Sequence, residues 1–273
     1  MLTQLEHRLA QFVNREDEMR RFSEMLDMEG KPVMVVWGDS GCGKSSLLAR
    51  MIHECAQRKL RKSEVVWTPT RNHDYLAVMR KIRDDVGAEH FNRFTDLINF
   101  FTDKNYEITI KIETNGGIEV ARDATITDSQ VGDIGGVIIK DSNFTIPRDD
   151  QAVPEDERMA RLTDQFLQDL SGALKAGPIV VFFDAIEKMT GETEAWIWNE
   201  LLGAIANGKL QNIRFVLCGQ KAPDFGEWHW MVEAAELGPL GPQHISEYLK
   251  NRGVDEANRQ ALADLLWVTT KGN

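Results

Sequence analysis

The chain has 273 residues, 42% hydrophobic and 27% charged, an ordinary globular balance and more sequence than one small core needs. Its net charge of −11 argues against broad nucleic-acid binding, which requires Lys and Arg set against phosphates. No apolar run approaches the roughly 18–20 residues of a membrane span, and the first residues lack the apolar core of a signal peptide. The three cysteines, Cys42, Cys55 and Cys218, stand in no metal-ligand spacing. A reduced, cytoplasmic setting without a membrane partner is expected.

Apolar residues recur at helical spacing over residues 1–30, from Leu2, Leu5 and Leu9 to Met19, Phe22, Met25 and Leu26, with Phe12-Val13-Asn14-Arg15-Glu16 interrupting them. Gly30-Lys31-Pro32 then punctuates the chain, and Val33–Trp37 reads as a buried strand. A glycine-rich loop follows at once, and Ser46, Leu47, Leu48, Met51, Ile52 and Cys55 mark an amphipathic helix. The basic run Arg58-Lys59-Leu60-Arg61-Lys62 is expected as a solvated end of that helix, where cations suit the dipole. A strand is predicted over 63–69 and helical period over about 73–101.

Residues 106–146 change character. Tyr106, Ile108, Ile110 and Ile112 alternate with polar residues, and Asn115-Gly116-Gly117 signals a hairpin toward Ile118 and Val120. A faint echo links Ile126–Val131 with Ile139–Phe144, too few copies for a solenoid. A polar linker covers 148–156 and a helix about 157–175. Pro178–Asp184 is an apolar strand ending in a carboxylate, 196–206 is helical, and Ile213–Cys218 is a fourth strand. Ala235–Gly238 is a short fifth. Trp228 and Trp230 are expected in an aromatic cluster between the core and a helical lid. Helices resume at Pro242, and the sequence stops at Asn273 inside an expected turn, as if more chain follows.

Apolar strands alternating with helices imply an α/β fold with a parallel sheet covered on both faces. The expected organisation is an N-terminal helical segment (1–30), a P-loop core (31–103 and 151–240), a β-rich insertion (104–150) and the start of a helical lid (241–273). Lys44 and Asp184 are 140 positions apart, and the insertion accounts for part of that distance. Its apolar face needs a partner, either its own core or a target-binding or assembly surface formed by strand addition.

Strand, loop and helix frame Gly38-Asp39-Ser40-Gly41-Cys42-Gly43-Lys44-Ser45 in the order a P-loop requires. Glycines at 38 and 43 let successive N–H groups face phosphate oxygens, and the following helix presents its positive end. Lys44 supplies charge to the β and γ phosphates of ATP or GTP, the Ser45 hydroxyl is placed to ligate Mg²⁺, and Ser46 opens the helix beside it. Asp184, at a strand end, suits the metal through a water ligand, or it caps the following turn. Glu187 is a candidate general base, or an exposed glutamate at a helix start. Gln220 and Lys221 lie at the strand edge where parallel sheets meet ligands, or in a solvated loop.

With these residues in place, the chain resembles the STAND class of P-loop NTPases, the signalling ATPases that include NACHT and NB-ARC relatives. Phe12-Val13-Asn14-Arg15-Glu16 is similar to that class's Phe-Val-Gly-Arg-Glu segment, which implies that Val13 and Arg15 contact the nucleotide, with Asn14 in place of glycine. Asp184-Ala185-Ile186-Glu187 resembles its Walker B pattern, but Lys188 stands where a further glutamate is usual. Cys218-Gly219-Gln220 replaces its Thr-Ser-Arg sensor, so the arginine is missing and Lys221 is the nearest substitute, without the planar fork. Leu240 and the helix over 243–252 resemble the start of its lid, and Thr269–Asn273 the beginning of a Gly-x-Pro motif.

The resemblance implies ATP or ADP with Mg²⁺, slow hydrolysis, a closed state that opens to self-assembly, and sensor and effector domains outside this chain. It also implies a role in bacterial defence or cell death. Two other functions compete: a nucleotide-dependent binding module that does not hydrolyse, and an AAA-like ATPase that remodels protein or nucleic acid.

Overall fold

The computed structural model describes residues 12–68, 70, 73–102, 107–110, 142–145 and 154–270. The helix expected over Leu2–Leu9, the turn at 115–117, the strand face at Ile112, Ile118 and Val120, the echo at 126–131 and 139–141, and most of the 148–156 linker lie outside these residues. So do Lys271–Asn273.

Five strands form one parallel sheet: β1 (Val33–Trp37), β2 (Arg61–Val66), β5 (Ile179–Asp184), β6 (Ile213–Gly219) and β7 (Val232–Glu236), in the order β2-β5-β6-β1-β7. β3 (Glu107–Ile110) and β4 (Ser142–Thr145) make a separate antiparallel pair. The described partner of Glu107–Ile110 is therefore a strand some thirty residues on.

The inner strands are buried almost throughout, because helices cover both faces and both sets of alternating side chains must be apolar. One set, Met34 and Val36, Val180 and Phe182, Val216 and Cys218, packs with Phe22, Met25, Leu47 and Met51 of helices α1 (Glu16–Leu26) and α2 (Lys44–Gln57). The other set includes Phe183, whose ring meets Trp67 at 5.8 Å and Phe215 at 5.8 Å. Each fully buried side chain of this size contributes about 1.5–3 kcal/mol.

Edge strands differ from the sequence reading, for a physical reason. β2 runs over 61–66 and β7 over 232–236, each a few residues earlier than predicted. With one side of the strand unpaired and less surface covered, their sequences need not be continuously apolar, so the signal blurs. The basic run is divided: Arg58 caps α2, while Arg61 and Lys62 begin β2. Arg61 donates to the carbonyls of Ala173 and Gly177 at 2.7 and 2.6 Å, so it is not a solvated helix end.

The helical period over 73–101 is carried by two helices. Asp74 accepts from the Ala77 amide at 2.7 Å and starts α3 (Tyr75–Val86), and Gly87 at φ 126° ends it. After a single 3₁₀ turn comes α4 (Asn92–Thr102). The helix predicted at 157–175 is α5 (Glu155–Leu174). The one predicted at 196–206 begins earlier, as α6 (Gly191–Trp196), and runs through a π-helical stretch, Ile197–Leu202, into α7 (Gly203–Ala206). Helices α8 (Pro242–Asn251) and α9 (Glu256–Thr270) close the chain and bury Ile245, Leu249 and Ala263 together.

Two compact units result. One comprises residues 1–91 and 167–273 and contains the sheet; the other, 92–166, contains α4, the β3–β4 pair and the first part of α5. Within the second unit Phe94 and Phe166 meet edge to face at 5.3 Å. Among the described residues no helix is long and apolar enough to cross a membrane.

Candidate functional site: a phosphate loop at the carboxyl edge of the sheet

Register brings three strand ends level. Asp184 pairs with Cys218, and Cys218 with Val36, while Gly219 pairs with Trp37. The loops that follow β1, β5 and β6 therefore leave the sheet side by side at its carboxyl edge, where parallel sheets place ligands.

The loop after β1 is shaped by its glycines. Gly38 has φ 155°, and a Cβ there would lie 2.4 Å from the Leu237 carbonyl oxygen, so the residue that follows β7 closes directly onto the loop's first residue. Gly43, at φ 91°, is the N-cap of α2, and its carbonyl accepts from the Ser46 and Leu47 amides. Asp39, Ser40 and Gly41 are exposed, and Cys42 is buried with its sulfur against Gly38. Lys44 Nζ donates to the carbonyls of Gly38 and Asp39, both at 2.7 Å, which brings the ammonium onto the loop. Ser45 is exposed at the start of α2, and its hydroxyl makes no hydrogen bond among the described residues.

The segment 12–16 joins this loop from the side. Asn14 and Arg15 both take left-handed backbone, φ 59° and 83°, and asparagine tolerates that region better than most residues. Val13 is buried. The Arg15 guanidinium, also buried, donates to the Cys42 carbonyl at 2.9 Å and the Gly238 carbonyl at 2.6 Å, and its other nitrogen lies 3.6 Å from Glu18. Arg15 thus reaches the phosphate loop and the chain leading to α8, but through backbone oxygens.

At the other side of the site, Asp184 accepts from the Ala185 amide at 2.9 Å and from the Cys218 thiol. Burial holds its carboxyl above the usual carboxylate range, against the pull of those donors, with Glu187 adding repulsion. Burial also pushes the Cys218 thiol up, so it remains a neutral donor. Ala185 turns the chain with φ 61°, and Ile186–Lys188 form a 3₁₀ turn. That turn carries Glu187 to β6, where its Oε2 accepts from the Gln220 amide at 3.2 Å. Gln220 contributes its backbone here, and both Gln220 and Lys221 are exposed. Ser45 and Asp184 offer only oxygen to this edge, which fits a hard cation such as Mg²⁺ that keeps several waters. No cluster of three metal-ligating side chains occurs among the described residues.

Sequence reasoning named Gly219 only within the Cys218-Gly219-Gln220 stretch, with no role of its own, and did not single out the Leu237–Gly238 carbonyls. A glycine closing an apolar strand is the signal that was available for Gly219. The aromatic expectation is corrected: Trp230 is 57% exposed, and neither it nor Trp228 pairs with a ring among the described residues. Their segment, Gly226–Met231, is a 3₁₀ connection crossing toward β7, and so it has little cover. A groove of about 260 Å³ lies away from the phosphate loop, near the amino end of β1, and its charges are already engaged: Arg21 with Glu233 at 3.1 Å and Arg20 with Glu24 at 2.7 Å.

A model of the ATPase_2 family, described as an ATPase domain predominantly from Archaea, matches residues 12–222, most of the chain. No curated protein matches the sequence. Among solved structures, the HORMA:CdnC:Trip13 complex of E. coli MS115-1 is similar, with 10% identity over 96% of this chain and 76% of that one, at a TM-score of 0.49. Cdc6p from Pyrobaculum aerophilum is similar at 13% identity, 96% and 58% coverage and a TM-score of 0.48. A STAND protein with a tetratricopeptide repeat sensor from Pyrococcus horikoshii is similar at 14% identity, 94% and 28% coverage and a TM-score of 0.48. The chain thus spans a little under three fifths and a little over a quarter of the last two.

Proposed function

The chain belongs to the ATPase_2 family of ATPase domains, and from that premise we propose that it is a nucleotide-controlled switch of the STAND type. In this reading it binds ATP with Mg²⁺ in the cytoplasm and hydrolyses it slowly. The bound nucleotide sets the position of α8 and α9 and, through them, self-assembly. Sensor and effector domains outside these residues give the switch its input and output, with bacterial defence or cell death as the setting that the STAND resemblance suggests.

The observation that carries the reading is Arg15. One buried guanidinium holds the Cys42 carbonyl of the phosphate loop and the Gly238 carbonyl, four residues before α8 begins. Any shift of the loop as phosphates settle on it is felt at the chain leading to the lid. That is the differential contact a switch requires.

The backbone of Gly38–Gly43, including Asp39, Ser40, Gly41 and Cys42, turns N–H groups to the phosphates, and Lys44 exchanges its carbonyl partners for β and γ oxygens. Val13 lines the nucleotide's side of the loop together with the Arg15 backbone, Ser46 supports Ser45, and Gln220 and Lys221 face the γ-phosphate edge. Ser45 Oγ, and Asp184 through a water, would hold Mg²⁺, which when bound neutralises phosphate charge. Glu187 accepts a proton from the attacking water as its oxygen bonds to the γ-phosphorus, and ADP leaves with the electron pair of the broken P–O bond. Lys188, beside Glu187 in place of a second carboxylate, fits slow turnover.

The test is hydrogen exchange across residues 240–270 with ATP and with ADP. Exchange in α8 and α9 is expected to differ between the two nucleotides in the wild type, and the difference is expected to collapse in Arg15→Ala while ATP still binds. Identical exchange with both nucleotides in the wild type would overturn the switch. A second reading, a binding module that does not hydrolyse, draws on the hydrogen bond that already engages Glu187 with the Gln220 amide. Single-turnover assays separate the two, since intact bound ATP after hours favours the module.

A further inference from the structure

We propose that Gly219, the last residue of β6, is a positioning residue for Glu187, and that its lack of a side chain is what seats the general base. The inference rests on the reading of Glu187 as the base and adds the element that holds it. A Cβ at position 219 would lie 2.7 Å from Ile186 Cγ1, 3.3 Å from Ile186 Cδ1 and 3.3 Å from Glu187 Oε2. Real Cβ atoms do not approach a neighbour that closely. The 3₁₀ turn of residues 186–188 lies directly on the Gly219 backbone.

Backbone freedom does not explain this glycine. Gly219 continues β6 in extended conformation, in register with Trp37, and any residue could adopt its backbone. What excludes a side chain is the neighbour, the kind of close approach that marks a glycine inside a strand. Nor can the neighbour readily withdraw. Ile186 is only 7% exposed, and Ala185, at φ 61° and ψ 45°, fixes the direction in which the turn leaves β5.

The next amide completes the seat. Gln220 N–H donates to Glu187 Oε2 at 3.2 Å, so the carboxylate is held over the glycine by the residue that follows it. A methyl group at 219 would push Ile186 away, lift the turn and draw the carboxylate off the amide. The phosphate loop follows another strand; Gly219 stands in register with Trp37 before it, but the described hydrogen bonds that hold residues 38–44 go to Arg15, Lys44 and the loop's own backbone. Chemistry and nucleotide affinity are therefore expected to separate, because displacing a positioned base by about an ångström costs up to about a hundredfold in rate.

The experiment compares single-turnover ATP hydrolysis with ATP affinity by titration calorimetry in wild type, Gly219→Ala, Ile186→Ala, the double variant Gly219→Ala/Ile186→Ala, and Glu187→Gln. Gly219→Ala is expected to slow hydrolysis by roughly tenfold to a hundredfold and to leave the ATP dissociation constant within about twofold. Ile186→Ala removes both carbons that the new methyl would meet. The double variant is accordingly expected to recover to within about threefold of Ile186→Ala alone, a rescue that general loss of stability would not give.

A Gly219→Ala rate equal to wild type, with Glu187→Gln slow, overturns the positioning role and leaves the base assignment standing. A slow Gly219→Ala that Ile186→Ala does not relieve overturns it as well. If Glu187→Gln itself runs at the wild-type rate, the reading of Glu187 as base fails and the inference falls with it. Should Gly219→Ala prove insoluble, Gln220→Pro removes the seating amide from the other side. Slowed hydrolysis then supports the seat, and a wild-type rate overturns it.

Discussion

Between Trp37 and Lys44 the chain shapes its site with backbone: Gly38, Gly41 and Gly43 have φ of 155°, 90° and 91°, and the side chains of Asp39 and Ser40 are exposed. At the neighbouring ends of β5 and β6 the reverse holds. There Asp184, Ile186, Glu187 and Cys218 are placed by side-chain contacts, and the one glycine, Gly219, serves to admit a neighbour rather than to turn the chain. A site made from backbone leaves a dense local pattern in sequence, since only glycine fits. A site made from contacts between distant strands leaves single residues that look ordinary until their partners are known.

Three substitutions can break or sharpen that contrast. The largest effect is expected for Lys44→Ala, because the ammonium is the loop's main contribution by a side chain. ATP affinity should fall by roughly a hundredfold or more. Calorimetric titration at wild-type affinity would remove Lys44 from the phosphate site. Gly38→Ala comes next. Its methyl would lie 2.4 Å from the Leu237 carbonyl oxygen in a backbone region unsuited to alanine, a cost of about 2 kcal/mol in folding stability. Denaturant unfolding with an unchanged midpoint would show that the loop is not closed by Leu237.

The smallest effect, opposite in sign, belongs to the contact-built side. Burial raises the Asp184 carboxyl in the folded protein, so the folded state favours its neutral form. The associated stabilisation is present in acid and is lost as the pH rises through the raised value. At neutral pH the ionised carboxylate is thus a burden, and Asp184→Asn should melt higher than wild type while losing Mg²⁺-dependent hydrolysis. The advantage should shrink as the pH falls through the raised value, where the folded wild-type carboxyl takes up its proton. A lower melting temperature for Asp184→Asn at pH 7 would contradict the assignment of burial as the dominant influence.

The same contrast governs what was legible in the sequence. β1, β5 and β6 were plain because strands covered on both faces must be apolar at every position, as Val33–Trp37 and Ile179–Phe183 are. β2 and β7 were misplaced by a few residues because Lys62, Ser63, Glu64 and Glu233 are acceptable at a sheet edge and interrupt the pattern. The phosphate loop was complete in its eight residues. The partners of Arg15 were not legible: two backbone oxygens have no sequence identity, and Gly238 is 223 positions away. Nor was the nearness of Gln220 to Glu187, which depends on the register of β5 against β6.

Arg15 carries a consequence for how the protein comes into being. Among the described residues β1 is the first strand made, yet both its neighbours, β6 and β7, come from the last quarter of the chain, and the guanidinium that braces the phosphate loop finds its second carbonyl only at Gly238. Contacts of such long sequence separation form late, because a long loop must be closed before they contribute. During synthesis, the glycine loop and its lysine leave the ribosome well before the strands that fix them. The capacity to hold nucleotide should therefore be acquired only once β6, β7 and Gly238 have been made.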